Sequence, residues 1–430
     1  MGVSLVGLFI LLLIMGLPIA YVLVAVAVAG IMAMGTVPLI TVVQRMFSGL
    51  NSFTLLAVPL FIMAANLMNR GQISNKLIDF CCALVGHIKG GLGYANVLVS
   101  MLFAGISGSS QADTAGIGKI LIPGMIEEGF SEETSVGVTA ASSTIGIIIP
   151  PSIPLVVYSS VANASIGALF LGGVIPGILI GLGQMAVVFI ASKIHNYPCR
   201  PRVPLKEIAR QAFINLPSLV APVIIVGGVL AGVCTATEAA CIACLYAGIL
   251  GIFVFRTIHP RDIAEIFMES AKTSAISLFA LASANALGQL LGYYKVSTII
   301  AAFFENGIVN NRFMFMFMVF LFFLFLGTFM DANPAMILFV PMLLPIGETF
   351  GVTPVQMGIV IVITLAVGQV TPPYGLCLLI ASDIAHMPIH RAFKAVLPYI
   401  AVTASVAVLL AFFPDIAFAV PRLIKPDWSF

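Results

Sequence analysis

The sequence predicts an all-α polytopic membrane protein built from two structural repeats. Three observations carry that prediction. Of the 430 residues, 60% come from the apolar set AVILMFWYC and only 8% are charged, and a glycine–diproline pattern recurs 222 residues apart, at 146–151 and 368–373. A typical soluble protein carries about 25% charged residues, and no soluble interior hides this much apolar surface. A water-soluble enzyme is excluded on that ground, and disorder is excluded because it needs low hydrophobicity. A transmembrane β-barrel fits poorly, since its lumen face makes every second residue polar. At ~20 residues per span, the apolar stretches accommodate roughly ten to twelve crossings or half-crossings.

Charge marks the loops. Met1 to Gly35 contains no Lys or Arg, so it lacks the basic region of a signal peptide and reads as membrane segment interrupted at Gly16-Leu17-Pro18. Arg45 lies in a short amphipathic stretch, and Arg70, Lys76 and Lys89 flank the next spans. Glu127, Glu128, Glu132 and Glu133 mark an acidic loop. The strongest basic cluster, Lys193, Arg200, Arg202, Lys206 and Arg210, places the central loop on the cytoplasmic face. Thr257 to Lys272 is a second amphipathic stretch. No basic tract suits nucleic acid. Cys241 and Cys244 sit on an apolar helix without a basic neighbour and read as packing residues rather than redox or metal ligands. The five histidines show no metal spacing, and Trp428 with the C-terminal tail reads as interfacial.

The repeat organises the rest. Residues 146–151 read GIIIPP and 368–373 read GQVTPP. The same offset aligns Gly105 with Gly327, Pro123 with Pro345, Gly129 with Gly351, Ser160 with Ser382, Pro38 with Pro260 and Ser52 with Ser274. The halves are residues 1–200 and 201–430. The first carries a hairpin at about 92–125 and a broken helix at about 134–162. The second carries a hairpin at about 312–348 and a broken helix at about 355–383. Membrane proteins built this way are mostly secondary transporters, with the site at the repeat interface. The repeats are inverted if segments 3–33 and 216–255 each cross once and parallel if each crosses twice; the sequence leaves this open.

In each half an apolar run stops at a short polar segment and resumes, with arms of a dozen to fifteen residues, too short to span the ~30 Å hydrocarbon core alone. Both read as re-entrant hairpins, with tips at Ser107–Asp113 and Thr328–Asn333. Each precedes a helix interrupted by Pro-Pro, and proline frees carbonyls one turn earlier that must be buried in protein or line a cavity. Such carbonyls, with Ser, Thr and Asn oxygens, are ligands for Na⁺. The first candidate cation cluster is Ser107, Gly108, Ser109, Ser110 and Asp113 near Gly146 and Pro150. The second is Gly327, Thr328, Asp331 and Asn333 near Gly368, Thr371 and Pro372. Asp113 and Asp331 stand out because a carboxylate at hairpin depth is costly and rare unless functional; each reads as a direct ligand or as a brace for its tip. Candidate substrate contacts are Ser152, Asn333, Tyr374 and Lys295, the last reading more readily as a snorkelling interfacial lysine than as a partner for a substrate carboxylate. Ser142, Ser143, Ser159 and Ser160 read as ligands or as small residues that let helices approach closely.

The segment F-A-G-I-S-G-S-S-Q-A-D-T-A-G-I-G (103–118), the run T-A-T-E-A-A (235–240) and the paired G-x-x-x-P-P helices resemble the large membrane subunit of tripartite ATP-independent periplasmic (TRAP) transporters. The resemblance covers essentially the whole chain, departing at Ala236, where the family often has Pro. It implies inverted repeats in an elevator-type fold, with a transport domain carrying the hairpins sliding against a scaffold that carries the amphipathic arms. It implies uptake driven by a Na⁺ gradient, with two or more Na⁺ sites and no organic cofactor. The implied partners are a small four-helix membrane subunit, not fused here, and a periplasmic substrate-binding protein, all at the bacterial inner membrane. The implied substrates are organic acids, including C4-dicarboxylates and sialic acid. The family's tip residues carry over to Ser107, Ser109, Asp113, Asp331 and Asn333. Two other classes compete: an intramembrane protease using Asp113 and Asp331 as a dyad, and a passive anion channel, which predicts ohmic current without saturation.

Overall fold

The computed structural model describes residues 2–71, 73–296, 298 and 311–425; Trp428 lies outside them. The described residues are helical throughout their regular structure. Helix α1 (Gly2–Ile14) ends at the break read from sequence, where Gly16 takes a left-handed φ of 79°, and α2 (Ile19–Met34) restarts after Pro18. Helix α3 (Ile40–Leu50) is the first amphipathic arm, bent by 73° from the segment that becomes α4 (Ala57–Arg70). Helix α5 (Ile73–Val85) leads to the first hairpin, α6 (Gly91–Ser107) and α7 (Ser110–Glu127). The first broken helix is α8 (Glu132–Ser143) and α9 (Ile153–Ala162), followed by the long α10 (Ile166–His195).

The second half opens with α11 (Leu205–Leu230) and α12 (Ala236–Ile249). The segment read as broken at 216–255 thus falls in a pair of helices, Leu205–Leu230 and Ala236–Val254, each long and apolar enough to cross, whereas α1 and α2 over 3–33 are shorter than a span. The two halves differ here, so crossing parity does not set the relation of the repeats and packing does. Thr235 starts α12 with a reciprocal capping box to Glu238, so the helix start is well marked without proline. Helix α13 (Pro260–Tyr293) has 34 residues. At 1.5 Å per residue it is about 51 Å long, so its charged first turns extend beyond the hydrocarbon. Helices α14 (Arg312–Gly327) and α15 (Ala332–Thr349) form the second hairpin. Helices α16 (Pro354–Gly368) and α17 (Leu376–Ile384) form the second broken helix, and α18 (Ile389–Phe412) and α19 (Asp415–Ile424) complete the chain.

Among the described residues six helices are long and apolar enough to cross a membrane, or seven if the bent α3–α4 pair is one span. The hairpin arms are longer than expected, 16 to 18 residues. Each arm is about 25 Å long, and the tips meet the breaks of the broken helices, while Glu127 at the base of the first hairpin is exposed.

Polar contacts fix which ends lie together. At the base of the first hairpin, Arg200 of the basic loop donates to Glu128 (2.6 Å) and Ser131 bonds Tyr197 (2.9 Å). Arg391, at the start of α18, pairs with Glu132 (3.6 Å) and Glu133, at the start of α8. At the other end, the Tyr158 hydroxyl of α9 donates to the Pro354 carbonyl at the start of α16 (2.6 Å). The two broken helices therefore run antiparallel, and the hairpins enter from opposite faces. Helices α7 and α15 begin and end 222 residues apart.

Candidate functional site

The first tip turns at Gly108, whose φ of 63° lies in the left-handed region. A Cβ there would meet the Pro151 carbonyl oxygen at 2.7 Å, so glycine is required by conformation and by space. The Gly108 carbonyl accepts from the Ile153 N–H (3.3 Å), which fastens the tip to the first break. Ser109 caps α7, its hydroxyl accepting from the Ala112 N–H (3.4 Å), and its own N–H donates to the Ser107 hydroxyl (3.2 Å). Asp113 lies one turn into α7 and is fully buried. Neither carboxylate oxygen meets the geometry of a hydrogen bond with any partner, and the Ser107 hydroxyl is the polar side chain beside it. Its Oδ2 presses on Gly146, where a Cβ would come within 2.2 Å.

The first break runs from a tight turn at Thr144–Ile147 through Pro150-Pro151. Ser152 is fully buried. Its hydroxyl donates to the Ile147 carbonyl (2.6 Å) and accepts from the Leu155 N–H (3.3 Å), so its bonding capacity goes into capping α9.

The second half repeats this plan with different side chains. The Thr328 carbonyl accepts from the Tyr374 N–H (2.9 Å), fastening the second tip to the second break. The Gly327 and Gly368 backbones touch, since a Cβ on Gly368 would lie 2.5 Å from Gly327 atoms. The Thr328 and Thr371 hydroxyls donate back to the Phe325 (2.7 Å) and Val367 (2.8 Å) carbonyls, and Pro372 lies in the unwound turn. Asp331 stands at the N-cap of α15, half-buried. Its Oδ1 accepts from Gln111 (3.4 Å) and Gln369 (3.5 Å). Gln369 in turn accepts from Ser110 and from Cys377 (3.4 Å). The Asn333 side-chain oxygen is buried without a partner.

The two tips are thereby joined in one network, Gln111 and Ser110 from the first hairpin with Asp331 and Gln369 from the second half. Both glutamines were missed as candidates, although both stand inside the quoted motifs. The available signal was chemical: an amide at a helix break both donates and accepts. The two aspartates are not equivalent, for at the 222 offset Asp331 corresponds to Ser109 and Asp113 to Ala335. A cleft of about 70 Å³ lies between the tips, lined by Ser109, Gln111, Asp331 and Asn333 among others. It adjoins a vestibule of about 410 Å³ that reaches Asn66, Arg70 and Lys119.

Other candidates lie elsewhere. Lys295 is exposed at the end of α13, with a φ of 51°, and lines neither cleft. Ser142 bonds Ser100 (2.9 Å) and Asn96 (3.2 Å), Ser143 the Thr139 carbonyl (2.7 Å), Ser159 the Ala164 carbonyl (2.7 Å), and Ser160 bonds Ser52 (3.2 Å). Ser142 and Ser160 thus tie separate elements together, while Ser143 and Ser159 bond back to nearby backbone.

Residues 6–416 match the family model described as tripartite ATP-independent periplasmic transporter, DctM component. The chain belongs to this family. It is 36% identical over 412 residues to the sialic acid TRAP transporter large permease SiaM of Vibrio cholerae, covering 96% of each chain. It is 35% identical to the C4-dicarboxylate large permease DctM of Pseudomonas aeruginosa, covering 88% of each. It is 38% identical to the isethionate permease DctMQ of Oleidesulfovibrio alaskensis, covering 95% of this chain and 65% of that longer one. The crystal structure of the Alcanivorax borkumensis YdaH transporter shares the fold, with a TM-score of 0.60 and 13% identity over 88% of each chain. This DctM-family chain is a multi-pass membrane permease of a TRAP system and not an enzyme, which removes the protease reading.

Proposed function

We propose that this chain is the transport subunit of a Na⁺-coupled importer of an organic acid, of the sialic acid or C4-dicarboxylate class, in the bacterial inner membrane. One observation carries the coupling: the Asp113 carboxylate is buried with both oxygens unpartnered, against the unwound segment at Gly146. A bare buried carboxylate is strongly unfavourable, and a cation held by it together with break carbonyls removes that cost. Asp331, with the unpartnered Asn333 oxygen beside it in sequence, belongs to a second cluster of the same kind. Residues 1–200 and 201–430 are inverted repeats in this reading, which the antiparallel broken helices favour, and their hairpins move together as the elevator. A small four-helix membrane subunit enlarges the scaffold, and a periplasmic binding protein delivers the substrate. The relatives named for sialic acid, C4-dicarboxylates and isethionate favour an anionic cargo.

The test is uptake into proteoliposomes containing the small subunit, with the binding protein outside. Accumulation is expected to require an inward Na⁺ gradient and to saturate. Accumulation indifferent to that gradient sinks the coupling claim, and non-saturating ohmic current returns the channel reading.

A further inference from the structure

Gln369 stands at the second break and reaches both hairpins. It is 4% exposed. Its Oε1 accepts from the Ser110 hydroxyl of the first tip and from the Cys377 thiol of α17 (3.4 Å), and its Nε2 donates to Asp331 Oδ1 of the second tip (3.5 Å). The Cys377 N–H also donates to the Gln369 backbone carbonyl (3.0 Å). An amide has one accepting and one donating end, so two donors on its oxygen fix which end Asp331 receives. The other amide on Asp331 Oδ1 belongs to Gln111 (3.4 Å), the residue after Ser110. Both amide donors to Asp331 are thus set by the first tip, one carried on it and one held by it.

Ser110 is in turn a neighbour of the first cluster. A Cβ on Gly146 would meet Asp113 Oδ2 at 2.2 Å and the Ser110 backbone nitrogen at 3.4 Å, so the carboxylate and the tip backbone flank one glycine. The bridge is particular to this half. At the 222 offset Gln369 corresponds to Ile147, Ser110 to Ala332 and Cys377 to Leu155. Those three apolar side chains cannot make the reverse connection from the second tip to the first break.

We propose that Gln369 is a positioning residue that couples the two cation clusters. The inference rests on the reading of both clusters as Na⁺ sites. A cation at Asp113 draws the first tip against the break at Gly146 and so fixes Ser110 and Gln111. These two hold both amide donors on Asp331 Oδ1, and the second cluster meets its cation preorganised. Hydrogen bonds in a chain also polarise one another, and the chain here runs from Ser110 through Gln369 to Asp331. By linkage, a cation at the second cluster tightens the first by the same factor.

Equilibrium binding of radiolabelled Na⁺ to the purified full chain tests this. Cooperative filling of two sites gives a Hill coefficient between 1 and about 2, whereas independent sites give about 1 or less. The wild type is expected to bind cooperatively. Gln369→Met removes both ends of the amide at similar length, and Ser110→Ala removes the hold on its oxygen. Each is expected to abolish cooperativity and to weaken the second Na⁺ by about tenfold, the size of a lost hydrogen bond to a charged group. The S110A/Q369M double variant is expected to bind no worse than Q369M, because the two changes cut one connection. A merely structural contact would lower the thermal midpoint without Na⁺ and leave cooperativity in place. Should one variant not fold, the other decides. Cooperativity retained in Q369M or S110A overturns the bridge, as do additive losses in the double variant, which make the two residues separate ligands. Non-cooperative binding of two Na⁺ to the wild type also overturns the bridge and leaves the Na⁺ reading standing, whereas absence of Na⁺ binding to the wild type defeats both.

Discussion

Replacing Gly146 with alanine tests the Asp113 site most directly. The new Cβ would lie 2.2 Å from Asp113 Oδ2, where ordinary contact begins at 3.4 Å. Because Asp113 is fully buried, its carboxylate has no open space to enter and must shift on the order of 1 Å within a packed interior. Overpacking of this kind costs about 1–3 kcal/mol, which corresponds to a factor of about 5 to 150 in an equilibrium constant. If the carboxylate holds a cation, that loss falls on cation affinity. The half-saturating Na⁺ concentration for uptake is therefore expected to rise by about that factor, and Na⁺ should raise the thermal midpoint of the solubilised G146A protein less than that of the wild type. The midpoint without Na⁺ separates folding from binding. Gly124→Ala in α7 makes the same chemical change with nothing within 4 Å of the new Cβ, and is expected to leave Na⁺ dependence unchanged while gaining up to about 1 kcal/mol of helix stability. Wild-type Na⁺ half-saturation in G146A would refute the placement of a cation at Asp113.

Asp331→Ala removes the acceptor shared by Gln111 and Gln369, and uptake should be nearly lost while membrane insertion, read by fractionation, persists; near-normal uptake removes Asp331 from the site. Ser152→Ala deletes a cap and should lower stability by about 1 kcal/mol without changing KM, whereas a raised KM at unchanged stability assigns Ser152 to the substrate. At the water-facing start of α8, the hydrogen bond from Arg391 holds the Glu133 carboxyl below its ordinary range. Its contribution is thus present above the unfolded-state pKa and is lost as pH falls through the folded-state value. The pair is well exposed, so Glu133→Gln should lower the thermal midpoint at pH 7 by an amount worth less than about 1 kcal/mol, and the difference should vanish in acid. A difference that grows in acid contradicts the pairing.

The sequence by itself determined the solvent of this protein, its helical class and the positions of its breaks, because composition and proline or glycine chemistry act locally. Gly108, Pro150 and Pro372 were legible for that reason. Membrane depth makes any carboxylate conspicuous, so Asp113 and Asp331 were legible too. What only the tertiary structure decided is which groups meet. Gln111 and Gln369 lie 258 residues apart in sequence, yet both donate to Asp331, and although an amide at a break is a chemical signal, nothing local says that the two meet. Ser152 and Lys295 were both candidate ligands, the lysine already reading more readily as interfacial, but a hydroxyl's partners depend on the backbone folded around it and a lysine's on the end of the helix it reaches. The antiparallel course of the two broken helices likewise follows from contacts such as Tyr158 with Pro354. Hydropathy is blind to direction across the bilayer, and packing is not.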